Sequence, residues 1–449
     1  MTDTADRSAP AADTARPADL GPRVRRLAFP IFLGVVTGFS AQFAISALLG
    51  HMGDDALYVR ALFIPIGFVF LAVEEGIEIS SQVIAARQKG ADDSVLPPIF
   101  RIGGIALGCF AVLAAIVGVF APQMADTLEV GADSTDTFVL FARLLAASFM
   151  LAVLNSVVAG TLRGWGLARS ASSITIAVAV TQVLGVWLLG YYTGLGVYAV
   201  PVSVAAASVI TLGTGLVLLA RAGMLRRTGP AAEPFARTVH ILFTVGVPVA
   251  IAFGLISAMN YTSLWVLSDF GADAVAGYGG AQAIQVLCMA PGIALGSAVA
   301  INMNQSLGAG EPHLLRPFVG VGVRYILTVN AVTAVAVFAL AGPLGDLMSD
   351  DAGTSSYATD YLTIVGPSWI AFGVINMVTM TLQQVRSGHI TIATDLTYLA
   401  AVNVGGGLIA RAMDEPKAYF VALAIGNVVI ASLILATAWH RFGRLAEMS

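Results

Sequence analysis

Charge is what this sequence has least of. Asp, Glu, Lys and Arg make up 11% of its 449 residues, against about 25% in soluble domains, so a water-soluble globular fold is excluded by composition. Lysine is confined to Lys89 and Lys417. The two cysteines, Cys109 and Cys288, fall inside apolar runs; they exclude a disulfide framework and are read as buried thiols. The five histidines (His51, His240, His313, His389, His440) sit at helix ends or in loops, with no Cys/His spacing that suits a metal and no glycine-rich phosphate loop after a strand. A net charge of −4 gives no reason to expect a nucleic-acid partner. No cofactor is expected, and no enzyme class announces itself.

What is present is apolar length. Hydrophobic residues are 57% of the chain and mean hydropathy is +0.84. Runs of about 20 residues or more, enough to span a bilayer, fall near 27–49, 58–86, 99–121, 138–162, 170–190, 196–220, 239–267, 274–305, 319–342, 357–384, 390–410 and 418–439. The fold class is therefore all-α and polytopic, with about twelve transmembrane helices. Residues 1–22 are rich in Ala, Asp, Thr and Pro and read as a disordered tail. Alternate connections carry Arg23, Arg25, Arg26, then Arg87, Lys89, Arg101, then Arg163, Arg169, then Arg221 to Arg237. The opposite connections carry acids such as Asp54, Asp55, Asp126 and Asp346. The positive-inside rule places both termini in the cytoplasm of a plasma membrane protein.

The chain also repeats itself. A shift of 218 residues lays Pro30 on Pro248, Gln42 on Asn260, Gly53 on Gly271 and Gly90-Ala91 on Gly308-Ala309. A slightly larger shift pairs Asn155 with Asn376. Six helices per repeat keep both copies in one orientation, so two bundles related by a pseudo-two-fold along the membrane normal are expected. The boundaries read as 23–220 for the first lobe, 221–238 for a linker and 239–449 for the second lobe.

These residues resemble the multidrug and toxic compound extrusion (MATE) transporters. The resemblance rests on the early proline of the first helix, on Ala86-Arg87-Gln88-Lys89-Gly90-Ala91-Asp92-Asp93 after the second, on its second copy Asn304-Gln305-Ser306-Leu307-Gly308-Ala309-Gly310-Glu311, and on the turn Leu162-Arg163-Gly164-Trp165-Gly166. It implies an efflux antiporter whose two bundles rock about a central cavity, exporting small organic cations as H+ or Na+ enters. It implies a lipid-embedded protein whose partner is a small molecule, and a monomer is expected. Many bacterial members have an aspartate in the first helix; here that position falls near Ile45, beside Gln42.

The acids deep in the first lobe are instead Glu74, Glu75 and Glu78. One ionised acid at a helix centre costs about 2.5–3.5 kcal/mol on insertion scales, so three within one turn need a reason. Glu74 and Glu78 are i,i+4 neighbours and Glu75 and Glu78 are i,i+3. Like charges this close in a low dielectric do not all ionise, so at least one holds a proton and can exchange it for a cation. Cation coupling is one reading of the cluster. The other is a set of protonated acids that hydrogen-bond neighbouring helices together. The neutral polar residues Gln42, Asn155, Asn260, Gln282, Gln285 and Asn376, with Met289, suit a cavity for amphipathic cations, or equally interhelical hydrogen bonds. Asn302 and Asn304 read as caps of the eighth helix. Two other functions compete: a flippase for lipid-linked sugars or amphipathic natural products, which would want arginines at membrane depth, and a polytopic metalloenzyme, which would want acids from a second helix. The sequence offers neither.

Overall fold

The computed structural model describes residues 19–226, 234–349 and 351–447, so most of the expected tail and the middle of the expected linker lie outside the described residues. All regular structure among the described residues is helical. Twelve helices are long and apolar enough to cross a membrane, as they must be where lipid leaves a backbone no hydrogen-bond partner but itself. They are α1 (Leu20–Met52), α2 (Asp55–Gly90), α3 (Leu96–Thr127), α4 (Ala132–Gly164), α5 (Ala168–Tyr192), α6 (Gly196–Arg221), α7 (Phe235–Ser268), α8 (Ala272–Gly308), α9 (Pro312–Ala339), α10 (Ala352–Gln384), α11 (Gly388–Met413) and α12 (Pro416–Leu445). All but one of the expected spans lie inside these helices. The ninth overruns, because the chain breaks at Leu340 and restarts as a short helix, Ala341–Met348, with Pro343 near its start.

Several helices run past 30 residues, longer than the roughly 20 needed to span, so they tilt or project beyond the bilayer. Local distortions have assignable causes: Pro30 lies in α1, Pro65 in α2 and Pro291 in α8, and π-helical turns occupy Leu242–Gly246 in α7 and Tyr398–Gly405 in α11. The turns joining α1 to α2 and α7 to α8 use Gly53 (φ 133°) and Gly271 (φ 101°), repeat mates in a conformation that side chains disfavour.

The core divides along the repeat. One large apolar cluster is built from residues between Ile45 and Val204, another from residues between Val266 and Leu423. Each half also lends one helix start to the other. Leu20, Val24, Leu27 and Ile31 of α1 are buried among residues of α8, α9, α10 and α12. Ile241, Val245 and Val249 of α7 are buried among residues of the first half. The exchange is what a two-fold relation between halves produces.

Cys109 departs from expectation. It is exposed on the helix surface, whereas Cys288 is partly buried. An apolar run in a bilayer needs no protein cover, since lipid is as apolar as leucine.

Candidate functional site

The three acids sit on a part of α2 that α4 and α7 approach closely. A Cβ at Gly76 would meet the carbonyl oxygen of Gly246 in α7. One at Gly160 would collide with the Glu78 carbonyl oxygen, and one at Gly164 with that of Gln82. Gly160 and Gly164 form a Gly-x-x-x-Gly stripe on α4, the device by which helices approach backbone to backbone in lipid.

Close approach determines the partners. The Ser156 hydroxyl of α4 donates to Glu74 Oε1 at 2.5 Å. The Arg163 guanidinium, in the last turn of α4, is ion-paired with Glu78, the two side chains 16% and 12% exposed. Glu75 is partly buried and has no hydrogen bond or ion pair among the described residues. The loop-charge pattern had placed Arg163 in a connection; the helix continues through it to Gly164, and its long side chain reaches back along the groove to the acid. Arg60 of α2 has no place in that pattern. It donates to Gln42 Oε1 at 2.9 Å and to Ser46 Oγ at 3.1 Å in α1.

The neutral polar residues fall into separate groups. Gln282 of α8 donates to Asn260 of α7 at 2.5 Å. Gln285, a turn further on, accepts from the Tyr361 hydroxyl of α10, and Tyr361 stacks edge-on between Tyr278 and Phe420 at 5.4 and 5.2 Å. Met289 is partly buried on the next turn of α8. Asn155 is buried and ties α4 to the Ser208 carbonyl of α6 at 3.1 Å. Asn376 bonds within its own helix, to the Phe372 carbonyl. The expected pairing of Asn155 with Asn376 does not hold in space. Asn376 lies against Gly292 as Ser156 lies against Glu74, so the matching shift between α4 and α10 is 220.

One contact between the halves escaped the sequence reading. At the end of the molecule where the arginines gather, α2 and α8 meet reciprocally. A Cβ at Gly90 would collide with the Gln305 carbonyl and one at Gly308 with the Arg87 carbonyl; both pairs obey the 218-residue shift. Deeper in, Gln82 Nε2 donates to Ser297 Oγ at 3.0 Å and to Gln384 Oε1 at 2.7 Å. Arg87 Nε donates to Asn304 Oδ1 at 2.9 Å, and Asn304 Nδ2 in turn to the Gln384 carbonyl at 3.0 Å. Gln305 donates to the Gly164 carbonyl at 2.9 Å. Asn304 is thus a buried cross-half link, not a cap. The signal was there, in the glycine that recurs at one place of both copies.

Among the described residues no group of three His, Cys, Asp or Glu side chains is arranged to hold a metal ion.

Comparison with known proteins gives a consistent picture. The MatE family model matches residues 30–188 and again 248–409, two segments whose starts are one repeat shift apart. A probable multidrug resistance protein, YoeA, of Bacillus subtilis is 24% identical over 397 residues, covering 83% of this chain and 82% of that one. The FAD transporter of Shewanella oneidensis is 20% identical, covering 92% and 93%. The fold matches the bent form of the Vibrio cholerae MATE transporter VcmN with a TM-score of 0.89 at 16% identity, covering 96% of this chain and 99% of that one.

Proposed function

This chain belongs to the MatE family of membrane transporters, and from that premise we propose that it exports small organic, cationic and amphipathic compounds in exchange for H+ or Na+. The observation that carries the proposal is the imbalance on α2: three carboxylates face one guanidinium, and Glu75 is the one with no hydrogen bond or ion pair among the described residues. Arg163 neutralises Glu78 and Ser156 holds Glu74, so Glu75 is the acid left to take a proton, a sodium ion or a cationic cargo. Only one of these occupies it at a time. Mutual exclusion at one carboxylate is sufficient for exchange.

Alternating access follows from the contacts between halves. Positive-inside charge puts the arginine-rich end and both termini in the cytoplasm. In this reading the Gln82–Ser297–Gln384 and Arg87–Asn304 bonds hold the halves together on the cytoplasmic side, and cargo is released on the other. Proton or sodium uptake at Glu75 releases cargo outward. Rocking of the lobes, 23–220 and 239–449, about the linker 221–238 breaks those bonds and presents the cluster to the cytoplasm. Gln42, and the Gln285–Tyr361 pair with Met289, supply polar and aromatic contacts for cargo in the two lobes.

The test is transport of a panel of cationic dyes by the purified protein in liposomes, with proton and sodium gradients imposed separately. Glu75→Gln is expected to abolish gradient-driven exchange while the protein stays folded. Full exchange with Glu74, Glu75 and Glu78 all changed to Gln overturns the coupling role.

A further inference from the structure

At the arginine-rich end a cavity of about 480 Å³ opens between the two halves, within the range of small-molecule sites. Four arginines line it: Arg87 from the end of α2, Arg237 from the start of α7, Arg386 from the turn after α10 and Arg441 from α12. Asp93 is the one acid among the residues that line it. Arg87, Arg386 and Arg441 are partly buried, Arg237 exposed. Two guanidiniums are held in place by neighbouring side chains, Arg87 by Asn304 at 2.9 Å and Arg441 by Ser387 at 3.3 Å.

A general excess of arginine at one membrane face scatters charge over the loops. It does not explain this convergence, and the repeat shows why. By the 218-residue shift Arg87 corresponds to Gln305 and Arg237 to Asp19, and by the 220-residue shift Arg386 corresponds to Gly166. The Arg386 comparison is the most telling. Both copies end the helix with a left-handed residue, Gly166 at φ 85° and Arg386 at φ 62°. Glycine adopts that conformation at no steric cost, and arginine does not. The second copy keeps the turn and places a guanidinium where the first has no side chain.

We propose that this cavity is a binding site for phosphate-bearing anions. The guanidinium fork matches a phosphate in two-point hydrogen bonding, and four forks around 480 Å³ suit a diphosphate or a phospholipid headgroup better than a single halide. The site is composite: Arg87 comes from the first half, Arg386 and Arg441 from the second. It exists only while α2 and α8 meet at this end. A bound anion therefore bridges the halves and favours the state in which this end is closed, by the differential affinity that any state-selective ligand exerts.

The experiment is a binding assay on the full chain in nanodiscs, independent of transport and of the coupling role of the glutamates. Inorganic pyrophosphate is titrated into phosphatidylcholine nanodiscs at constant ionic strength set with chloride, and thermal unfolding is followed; a parallel arm replaces part of the lipid with phosphatidylglycerol. A saturable rise in the unfolding midpoint with pyrophosphate identifies a soluble phosphate source, and a rise only with phosphatidylglycerol identifies a lipid headgroup. In whichever arm responds, R386Q/R441Q is expected to weaken binding about tenfold or more. Asp93→Asn, which removes the one acid and keeps the arginines, is expected to tighten it. Amide exchange over 86–91 and 304–309 is expected to slow together when the anion binds. No response in either arm overturns the site, as does an equal response in the double variant; binding that leaves both helix ends exchanging freely overturns the bridging role.

Discussion

The helix pair α2 and α4 and its repeat mate, α8 and α10, solve one packing problem in opposite ways. In the first pair the large side chain is on the inner helix and the small one on its partner: Glu78 lies against Gly160, and Gln82 against Gly164. In the second pair the sizes are exchanged. Gly296 receives Met380, and Gly292 receives Asn376. Both arrangements bring backbones together, which is what association in lipid requires. Only the first leaves room on the inner helix for acids and, on its partner, for Ser156 and Arg163 to meet them. Their counterparts by the 220-residue shift are Asn376 and Gln383. The fold supplies two equivalent grooves, and ionisable chemistry occupies one.

Breaking the ion pair is the hardest test of this difference. Arg163→Gln leaves Glu78 without its partner in a setting where both side chains are less than one-fifth exposed, and removing one member of such a pair costs about 3 kcal/mol. Glu78→Gln combined with Arg163→Gln is expected to recover most of that loss, bringing the first groove closer to the neutral chemistry of the second. Unfolding midpoints of the two singles and the double measure it, and additive losses would show that the pair has no energetic meaning.

Packing gives a smaller contrast. Alanine at Gly160 meets the Glu78 backbone carbonyl, which cannot move without moving α2, and a loss within the usual overpacking range of about 1–3 kcal/mol is expected. Alanine at Gly292 meets its nearest atom, Asn376 Cβ, at 3.0 Å, and its loss is expected to be smaller. Equal losses in thermal unfolding would erase the distinction between the grooves.

The smallest effect lies at the far end of the same helices. Asp351 caps α10 by accepting the Thr354 N–H at 2.9 Å, while Gly131, its mate by the 220-residue shift, begins α4 with no side-chain cap. The backbone hydrogen bond from Thr354 holds the Asp351 carboxyl below its ordinary value. A lowered carboxyl contributes stability that is present above its unfolded value, about 3.9, and is lost as pH falls through the folded one. Protection of the Thr354 amide, measured as exchange relative to its intrinsic rate, is therefore expected to fall in acid, with no such change at the start of α4. Asp351→Ala should remove the pH dependence.

Particular residues show how far the sequence could be read. Gly90 and Gly308 were visible as repeat mates, and hydropathy placed the helices that carry them, because a bilayer demands long apolar segments whatever their neighbours. Glu74, Glu75 and Glu78 stood out for the same reason, as charges where charge is costly. Arg163 did not. A rule that assigns basic residues to connections has no means of telling a side chain that points into water from one that turns back onto an acid of another helix. Asn155 misled in another way, since an asparagine next to the matched position took the place of Ser156 in a shift that was one residue too long.

Alone, the sequence determined an all-helical membrane protein of two like halves and the presence of three acids within one turn of the second helix, since hydropathy, repeat spacing and helical period are properties of the chain itself. Only the tertiary structure decided that Glu78 and Glu74 are held while Glu75 is left without a partner among the described residues, that Gln82 and Asn304 close one end, and that four arginines share one cavity. Those outcomes depend on how closely helices cross. The crossings are set by glycines whose effect appears only when the opposing backbone is in place.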